Sequence, residues 1–523
     1  FGSSHISSSA CRCKGQWETP PQTQGSQNSM VGKRPSIFWN HNVVLGLMTT
    51  GFYNLGYGLF QNTVLPSFIL LVGGNNLAIG FAEGLQGITN MVSALPAGYL
   101  ADKYSRSACI RIGSALWLVS AACLISAVVL AEPGSAHAYA LLCAALGLEG
   151  ICDGIINGPL VALMDDSVPA GSRSEVETIN SVATEGASGV GPLVAGVAFM
   201  YMGNQWTLSS MQFVIIAGAL VGQLANVTGA LMDDKKALGA ESEAVHLQAD
   251  LIQRLDDGDG AAEADAAADA AAAGATCCGL LSPASVVYVM FVSNFIMALG
   301  AGMTVKFFPV FFQQEVGVSP GTMNAVYSSL CGFTVLGMLL AQRASKRHGR
   351  LQVIIPSTIV GVGCSFLLGA LRSCYSMPLV MIPLFMARCT AMWSITALEG
   401  SIVADYTPKA QRGRWKALNS ITSAGWSGSA ALGGWLIDRY GYGPCFVITA
   451  CFQGLSIPFL FLIVPHVAKE TDMVQPSPRT RSMSFASPHS LKVSAFHGDE
   501  GTMSVMARAM SPKGPCCSPM NRN

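Results

Sequence analysis

Glu149 and Asp153 stand four residues apart inside the apolar run ALLCAALGLEGICDGIINGPLVALM. That spacing puts both carboxylates on one face of a helix, a single turn apart. An idle charge at the centre of a membrane helix costs roughly 2.5–3.5 kcal/mol, so two in one run call for water, a counter-charge or a ligand. Neighbouring carboxylates also resist ionising together. The pair is therefore expected to carry a proton and to release it when Arg388 approaches in one conformation. Other polar groups in apolar runs are Lys306 in MTVKFFP and Glu399, each toward the end of its run, and Tyr53, Asn54, Gln61 and Asn62 on the chain's first apolar stretch. Each could contact a small solute. Glu83 and Glu185 are better suited to gate contacts or buried pairs. The cysteine pairs CRC, CC at 277–278 and CC at 516–517 lack zinc spacing, so neither a metal site nor a cofactor is expected.

Elements that could position such groups must tolerate lipid. The chain has 523 residues, 51% hydrophobic and only 11% charged, with a mean hydropathy of +0.44. Soluble domains carry roughly 25% charged residues. A zero formal net charge offers nothing to nucleic acid. About 20 apolar residues cross a bilayer, and runs of that kind lie near 42–66, 76–100, 109–131, 138–163, 178–202 and 208–231. Six more follow near 285–311, 322–343, 351–371, 378–403, 417–437 and 443–465. The expected class is an all-α, twelve-span membrane protein.

Lys and Arg then orient it. One set of loops holds Lys103, Arg106, Arg111, Arg173, Lys235, Lys236, Arg343, Lys346, Arg347, Arg350, Lys409, Arg412, Arg414 and Lys416, and the other only Arg372 and Arg439. Both termini are thereby expected in the cytosol, in the plasma membrane or an organelle membrane.

The expected organisation is a polar tail at 1–40, a six-helix bundle at 41–232, a linker at 233–283, a second bundle at 284–466 and a tail at 467–523. Met30 opens MVGKRPSIFW and reads as a candidate natural start, with residues 1–29 read either as translated leader or as non-native sequence. The linker contains EADAAADAAAAGA, which has nothing to bury, and the last tail is Ser/Pro-rich around Ser482 and Ser484.

The two sixes are related. Asp166, Pro169, Arg173, Asn180, Gly186 and Gly189 recur as Asp405, Pro408, Arg412, Asn419, Gly425 and Gly428, each pair offset by 239 residues. TVLPSF and KFFPVF add a match of Pro66 to Pro309. The same offset carries Glu149 onto Arg388, at similar depth in the equivalent span.

The loop after the second span reads GYLADKYSRS, and its counterpart after the eighth ends SKRHGR. In these residues the chain resembles the major facilitator superfamily, whose loop signature is G-x-L-A-D-[RK]-x-G-R-[RK]. Gly98, Leu100, Ala101, Asp102, Lys103 and Arg106 match, and Ser105 departs from the usual Gly. The second copy keeps Arg347, Gly349 and Arg350 but has Lys346 in place of the acid. The resemblance covers about 40–467. It implies two bundles rocking about a midplane site, the first, fourth, seventh and tenth spans lining the cavity with Glu149 and Arg388 facing one another across it, and a cytosolic gate made by Gly98, Asp102, Arg106, Asp166, Arg173, Gly349, Arg350, Asp405 and Arg412.

The fifth span carries GASGVGPLVAG. Gly186, Gly189, Gly191, Pro192 and Gly196 make a small-residue packing face that resembles the G-P-x-x-G-G motif of drug:proton exchangers, with Ala195 in place of one Gly. Sugar-porter signatures are missing where MDDKKALG and PHVAKET stand. No nucleotide loop or nucleophile motif points to an enzyme or an ATP-driven pump. The expected activity is proton-coupled export of a small organic solute by a monomer, with Glu149, Asp153 and Arg388 handling substrate and proton. Uniport or uptake of an organic ion is the alternative. A rival of another class is a receptor of the same fold that binds without flux.

Overall fold

The computed structural model describes residues 40–168, 173–238, 285–406 and 412–467. Each expected span is a helix. The first is His41–Phe60 continued as Val64–Gly73, followed by Asn76–Lys103, Arg106–Val129, Ala136–Asp166, Arg173–Tyr201 and Leu208–Ala230. The seventh is Ser285–Gly302 continued through a 3-10 turn into Phe308–Phe311. Then come Pro320–His348, Leu351–Ala370, Pro378–Trp393 with Thr396–Tyr406, Arg412–Tyr440, and Tyr442–Gly454 with Ser456–Ile463.

Among the described residues, ten spans are long and apolar enough to cross a membrane. The second and eleventh match them in length but are more polar. Their position explains this: they pack on each other between the two sixes, as the fifth packs on the eighth. A helix shielded by a neighbouring bundle can carry groups that lipid would reject. Within the first six, span 1 packs on 5 and 6, and span 4 on 2 and 3. Within the second, span 7 packs on 11 and 12, and span 9 on 10 and 12.

The two helix breaks matter most. Span 1 is interrupted at Gln61, Asn62 and Thr63, and span 7 between Gly302 and Phe308. Irregular backbone at membrane depth survives only where protein or a cavity satisfies it. Pro66 and Pro309, matched in the repeat, both open the helical segment after the break. Proline costs little there because a first-turn amide has no intrahelical acceptor.

Close approach is built from glycine. A Cβ on Gly191 would lie 2.6 Å from the Gly58 backbone, so Gly58 and Gly191 let spans 1 and 5 meet main chain to main chain. Gly189 and Gly196 face Cys331 and Asn324 of span 8 at 3.2 and 3.3 Å, whereas Gly186 and Gly98 face open space. The small-residue face thus serves two neighbours on opposite sides. Cys109, Cys143, Cys152, Cys389 and Cys445 are buried like small hydrophobes, but Cys451 points outward.

We call the end carrying His41 and His466 the terminal face and the other the distal face. Residues 233–238, expected in the linker, are docked on the first bundle. Asn42 Nδ2 donates to the Asp233 carbonyl at 2.9 Å, and Leu238 N to the Asp166 carbonyl at 3.0 Å. The rest of the expected linker and both tails, with Met30, Ser482 and Ser484, lie outside the described residues.

Candidate functional site: a central cavity between the bundles

Three helical stripes converge at the centre. Tyr53 and Tyr57 lie on span 1, Glu83, Gln86 and Asn90 on span 2, and Glu149 and Asp153 on span 4. Each set keeps the three- or four-residue spacing that lines one helix face. Except for Glu149, these side chains line a cavity of about 240 Å³, closed from the other bundle by Lys306, Trp426, Ser427 and Ala430. Asp153 is 8% exposed and accepts from the Tyr53 hydroxyl at 3.2 Å. Glu149, 7% exposed, lines an adjoining recess with Tyr53, Tyr57 and Trp117. The Tyr53 ring leans on Trp117, centroids 5.1 Å apart, which fixes the hydroxyl toward Asp153.

Lys306 crosses from the second bundle into the first. Its Nζ lies 2.7 Å from Glu83 Oε2 and 5.4 Å from the centroid of Trp426. The 3-10 break of span 7 supplies the turn that aims it inward. The Lys306–Glu83 pair therefore ties the two bundles at mid-depth. Among the described residues, no ion pair engages Glu149 or Asp153.

Two further cavities extend the first. One of about 330 Å³ shares Lys306 and Trp426 with it and is lined by Asn62, Glu185, Tyr327 and Trp393. The other, of about 200 Å³, shares Tyr53, Asn54 and Asp153 and runs past Asn157, Leu160 and Asn180 toward the terminal face. At the distal end the bundles are tied. Asp438 binds Asn76 and Leu77, Asn204 binds Ser319 and Gly321, Trp206 Nε1 donates to the Val318 carbonyl at 3.0 Å, and Thr63 binds Asn324 at 2.8 Å. The conformation is distal-closed.

The expected Glu149–Arg388 contact is not made. Arg388 is 1% exposed and turned into its own bundle. Its Nε donates to Ser365 Oγ at 3.2 Å, and its guanidinium stacks 4.8 Å from the Phe308 centroid. Pseudo-symmetry sets the depth of a residue, but helix rotation sets its direction, and here rotation carries Arg388 toward spans 7 and 9. Replacing Arg388 by Met, similar in length and apolar, is expected to change stability by less than about 1.5 kcal/mol. The pH dependence of ligand-induced thermal stabilisation should be unchanged. A flattened pH profile in Arg388→Met would restore Arg388 to the proton pathway.

Other expected residues fall as follows. Asn54 lines the central cavity and receives Ser188 Oγ at 3.4 Å. Gln61 is fully buried and donates to Gln86 at 3.1 Å. Glu399 is half-buried toward the terminal end of span 10, away from the three cavities described.

The gate residues pair within bundles. Arg106 binds Asp166, and Arg350 Nη1 reaches Asp405 at 2.5 Å. Arg106 also donates to the Ala162 carbonyl and Arg350 to Ser401, and 162 and 401 are again 239 apart. The repeat is thus real in three dimensions: each pair straps the start of one span to the end of the next. Gly349 holds φ +106°, a conformation that a side chain would strain. Ser105, the departure from the loop signature, caps span 3 through Ala108 N and meets Asp234 at 2.5 Å. The side chains of Asp102, Arg173 and Arg412 lie outside the described residues.

Tyr57, Gln86, Trp117, Tyr327 and Trp426 were not anticipated. Gln86 could have been found from its spacing to Glu83, and Tyr57 from its spacing to Tyr53. Trp426 carries no such signal.

Comparison with known proteins agrees with this architecture. A region matching the mouse MFS-type transporter SLC18B1 (Mus musculus) is 26% identical over 187 residues, covering 34% of this chain and 40% of that relative's length. Among solved structures, the partially occluded inward-open xylose transporter XylE from E. coli superposes with a TM-score of 0.57 at 14% identity, over 82% of this chain and all of the other. A bacterial homologue of the iron transporter ferroportin, inward-facing, gives 0.59 at 13% identity over 80% and 98%. A bacterial homologue of the human lysosomal transporter Spinster, also inward-facing, gives 0.56 at 14% over 83% and 98%. The family model described as Major Facilitator Superfamily matches residues 44–254 and 290–497. With twelve spans in two related sixes around a central cavity, the chain belongs to the major facilitator superfamily.

Proposed function

We propose that the protein exports a small organic cation in exchange for protons. The observation that carries this reading is the pair of buried carboxylates, Asp153 and Glu149, beside a cavity whose Lys306 is already engaged by Glu83. A carboxylate buried without a dedicated counter-charge is neutralised by a proton or by a bound cation, and not by both at once. That competition is the requirement for exchange. The rings of Tyr53, Tyr57 and Trp426 suit a cation that carries apolar groups.

The Lys and Arg distribution supports a cytosolic terminal face. The cavity would then load from the cytosol and discharge at the distal face. The likeness of Gly191-Pro192 and its neighbours to the drug:proton exchange motif supports the same direction. Solved neighbours include transporters for xylose, nucleosides and peptides and a bacterial homologue of an iron transporter, so the fold leaves the solute open and the cavity must choose it.

The test uses purified full-length protein and a panel of primary amines, quaternary ammonium ions, neutral sugars and carboxylates. Amines or ammonium ions are expected to raise the unfolding temperature, more so at higher pH. In proteoliposomes an imposed pH gradient should drive uptake of the cation that stabilised. Stabilisation by sugars or carboxylates instead, or flux indifferent to the gradient, would remove this reading. Binding without flux would favour a receptor.

A further inference from the structure

The distal end poses an accounting problem. The first amides of any helix have no intrahelical acceptor. In span 2, Asn75 serves Ala78 N in cis at 2.8 Å. The amides of Asn76 and Leu77 are served by the Asp438 carboxylate, at the end of span 11 in the other bundle, at 2.9 and 2.8 Å. Span 8 repeats this with the bundles exchanged. Pro320 has no N–H, Ser319 serves Thr322 N in cis at 3.4 Å, and Gly321 N donates at 2.8 Å to Asn204 Oδ1 of the first bundle. Spans 2 and 8 are equivalent members of the two sixes, and Asn204 follows span 5 as Asp438 ends span 11.

Both acceptors are held in place. Asn76 Nδ2 donates to Asp438 at 2.9 Å, and the Tyr442 hydroxyl donates to Asn76 Oδ1 at 3.0 Å. Asn204 Nδ2 donates to Ser319 Oγ at 3.1 Å. Asn204 has φ +52° and is the one left-handed non-glycine residue among those described. Asparagine is among the side chains that tolerate this conformation best.

We propose that Asp438 and Asn204 are reciprocal helix caps acting across the bundle interface, and that they position the transporter in its distal-closed state. Each bundle completes the first turn of the other's interface helix. Opening the distal gate uncaps both helices together and removes a carboxylate from the positive end of span 2. Because these contacts exist in one state only, they weight the equilibrium between the two. Asp438, charged and holding two amides, outweighs Asn204, neutral and holding one. The proposal stands whatever the solute.

The measurement is a distance distribution between probes on the distal loops of the two bundles, at Glu132 and Ser373. Genetically encoded labels avoid the 16 cysteines, and the full chain is held in lipid nanodiscs. Asp438→Ala is expected to raise the distal-open to distal-closed ratio roughly tenfold to a hundredfold, and Asn204→Ala roughly threefold to tenfold. Asp438→Asn, milder and safer for folding, should fall between wild type and Asp438→Ala, and Asp438→Glu should return most of the closed population. Asn75→Ala removes a cap of the same helix supplied in cis and should leave the distribution unchanged. A wild-type distribution in Asp438→Ala and Asp438→Asn would overturn the proposal. So would an equal shift in Asn75→Ala, which would make the effect one of helix fraying.

Discussion

With Asp153→Asn, uptake driven by a pH gradient is expected to collapse and cation binding to weaken roughly tenfold to a hundredfold, the loss that goes with one charge-assisted contact. Asn has the shape of Asp and still accepts from the Tyr53 hydroxyl, which stands 3.2 Å from Oδ2. It differs in taking up neither a proton nor a counter-cation. In wild type, a falling pH fills the carboxylate with a proton and so should weaken cation binding. In Asp153→Asn that slope should flatten. Glu149→Gln is expected to flatten the slope as well, because a neutral neighbour removes the repulsion that makes the pair share a proton and leaves Asp153 ionised over a wider pH range. The measurement is equilibrium binding of the best stabilising cation across a pH series, beside flux in proteoliposomes. Retention of gradient-driven uptake at the wild-type rate in both variants would move proton coupling elsewhere, with Glu185 in the adjoining cavity the next carboxylate to test.

How far the sequence could see is clearest from particular residues. Span positions were legible because lipid imposes a length and composition that few other environments do. The stripes Tyr53–Tyr57, Glu83–Gln86–Asn90 and Glu149–Asp153 were legible in principle as helical faces. The 239-residue offset relates Asp166 to Asp405, and both receive an arginine of their own bundle, Arg106 and Arg350, which stand 244 apart and belong to the two copies of the loop signature. It failed at Arg388. A helix turned by a few tens of degrees swings a side chain from cavity to core without altering the pattern of apolar residues. Lys306 with Glu83, and Asp438 with Asn76, were illegible for another reason. Their partners are fixed by the packing of two separate bundles, and no local periodicity records that.

Removing Lys306 alone is expected to be the most damaging single change at the centre. Glu83 is 3% exposed and Lys306 13%. Lys306→Ala would strand a buried carboxylate, a loss of about 3–5 kcal/mol when one member of such a pair is deleted. Glu83→Gln strands the ammonium instead, with Trp426 as partial consolation through its ring face. The double variant Glu83→Gln, Lys306→Met leaves no charge behind and should regain most of the stability of either single change. This is the pattern of a coupled pair in a double-mutant cycle. Unfolding temperatures of the four proteins in one detergent give the coupling. Additive losses would show that the ion pair does not act as a unit and that each residue matters to its own bundle. Flux then separates two roles. A double variant that is stable and transports at the wild-type rate would make the pair a strut. A stable double variant that binds cation but no longer moves it would mean that the charges themselves work in the cycle, because their separation and re-pairing would be the step lost. The second outcome is the expected one: Lys306 and Glu83 belong to different bundles, so any rocking of one bundle against the other must strain or break the 2.7 Å contact.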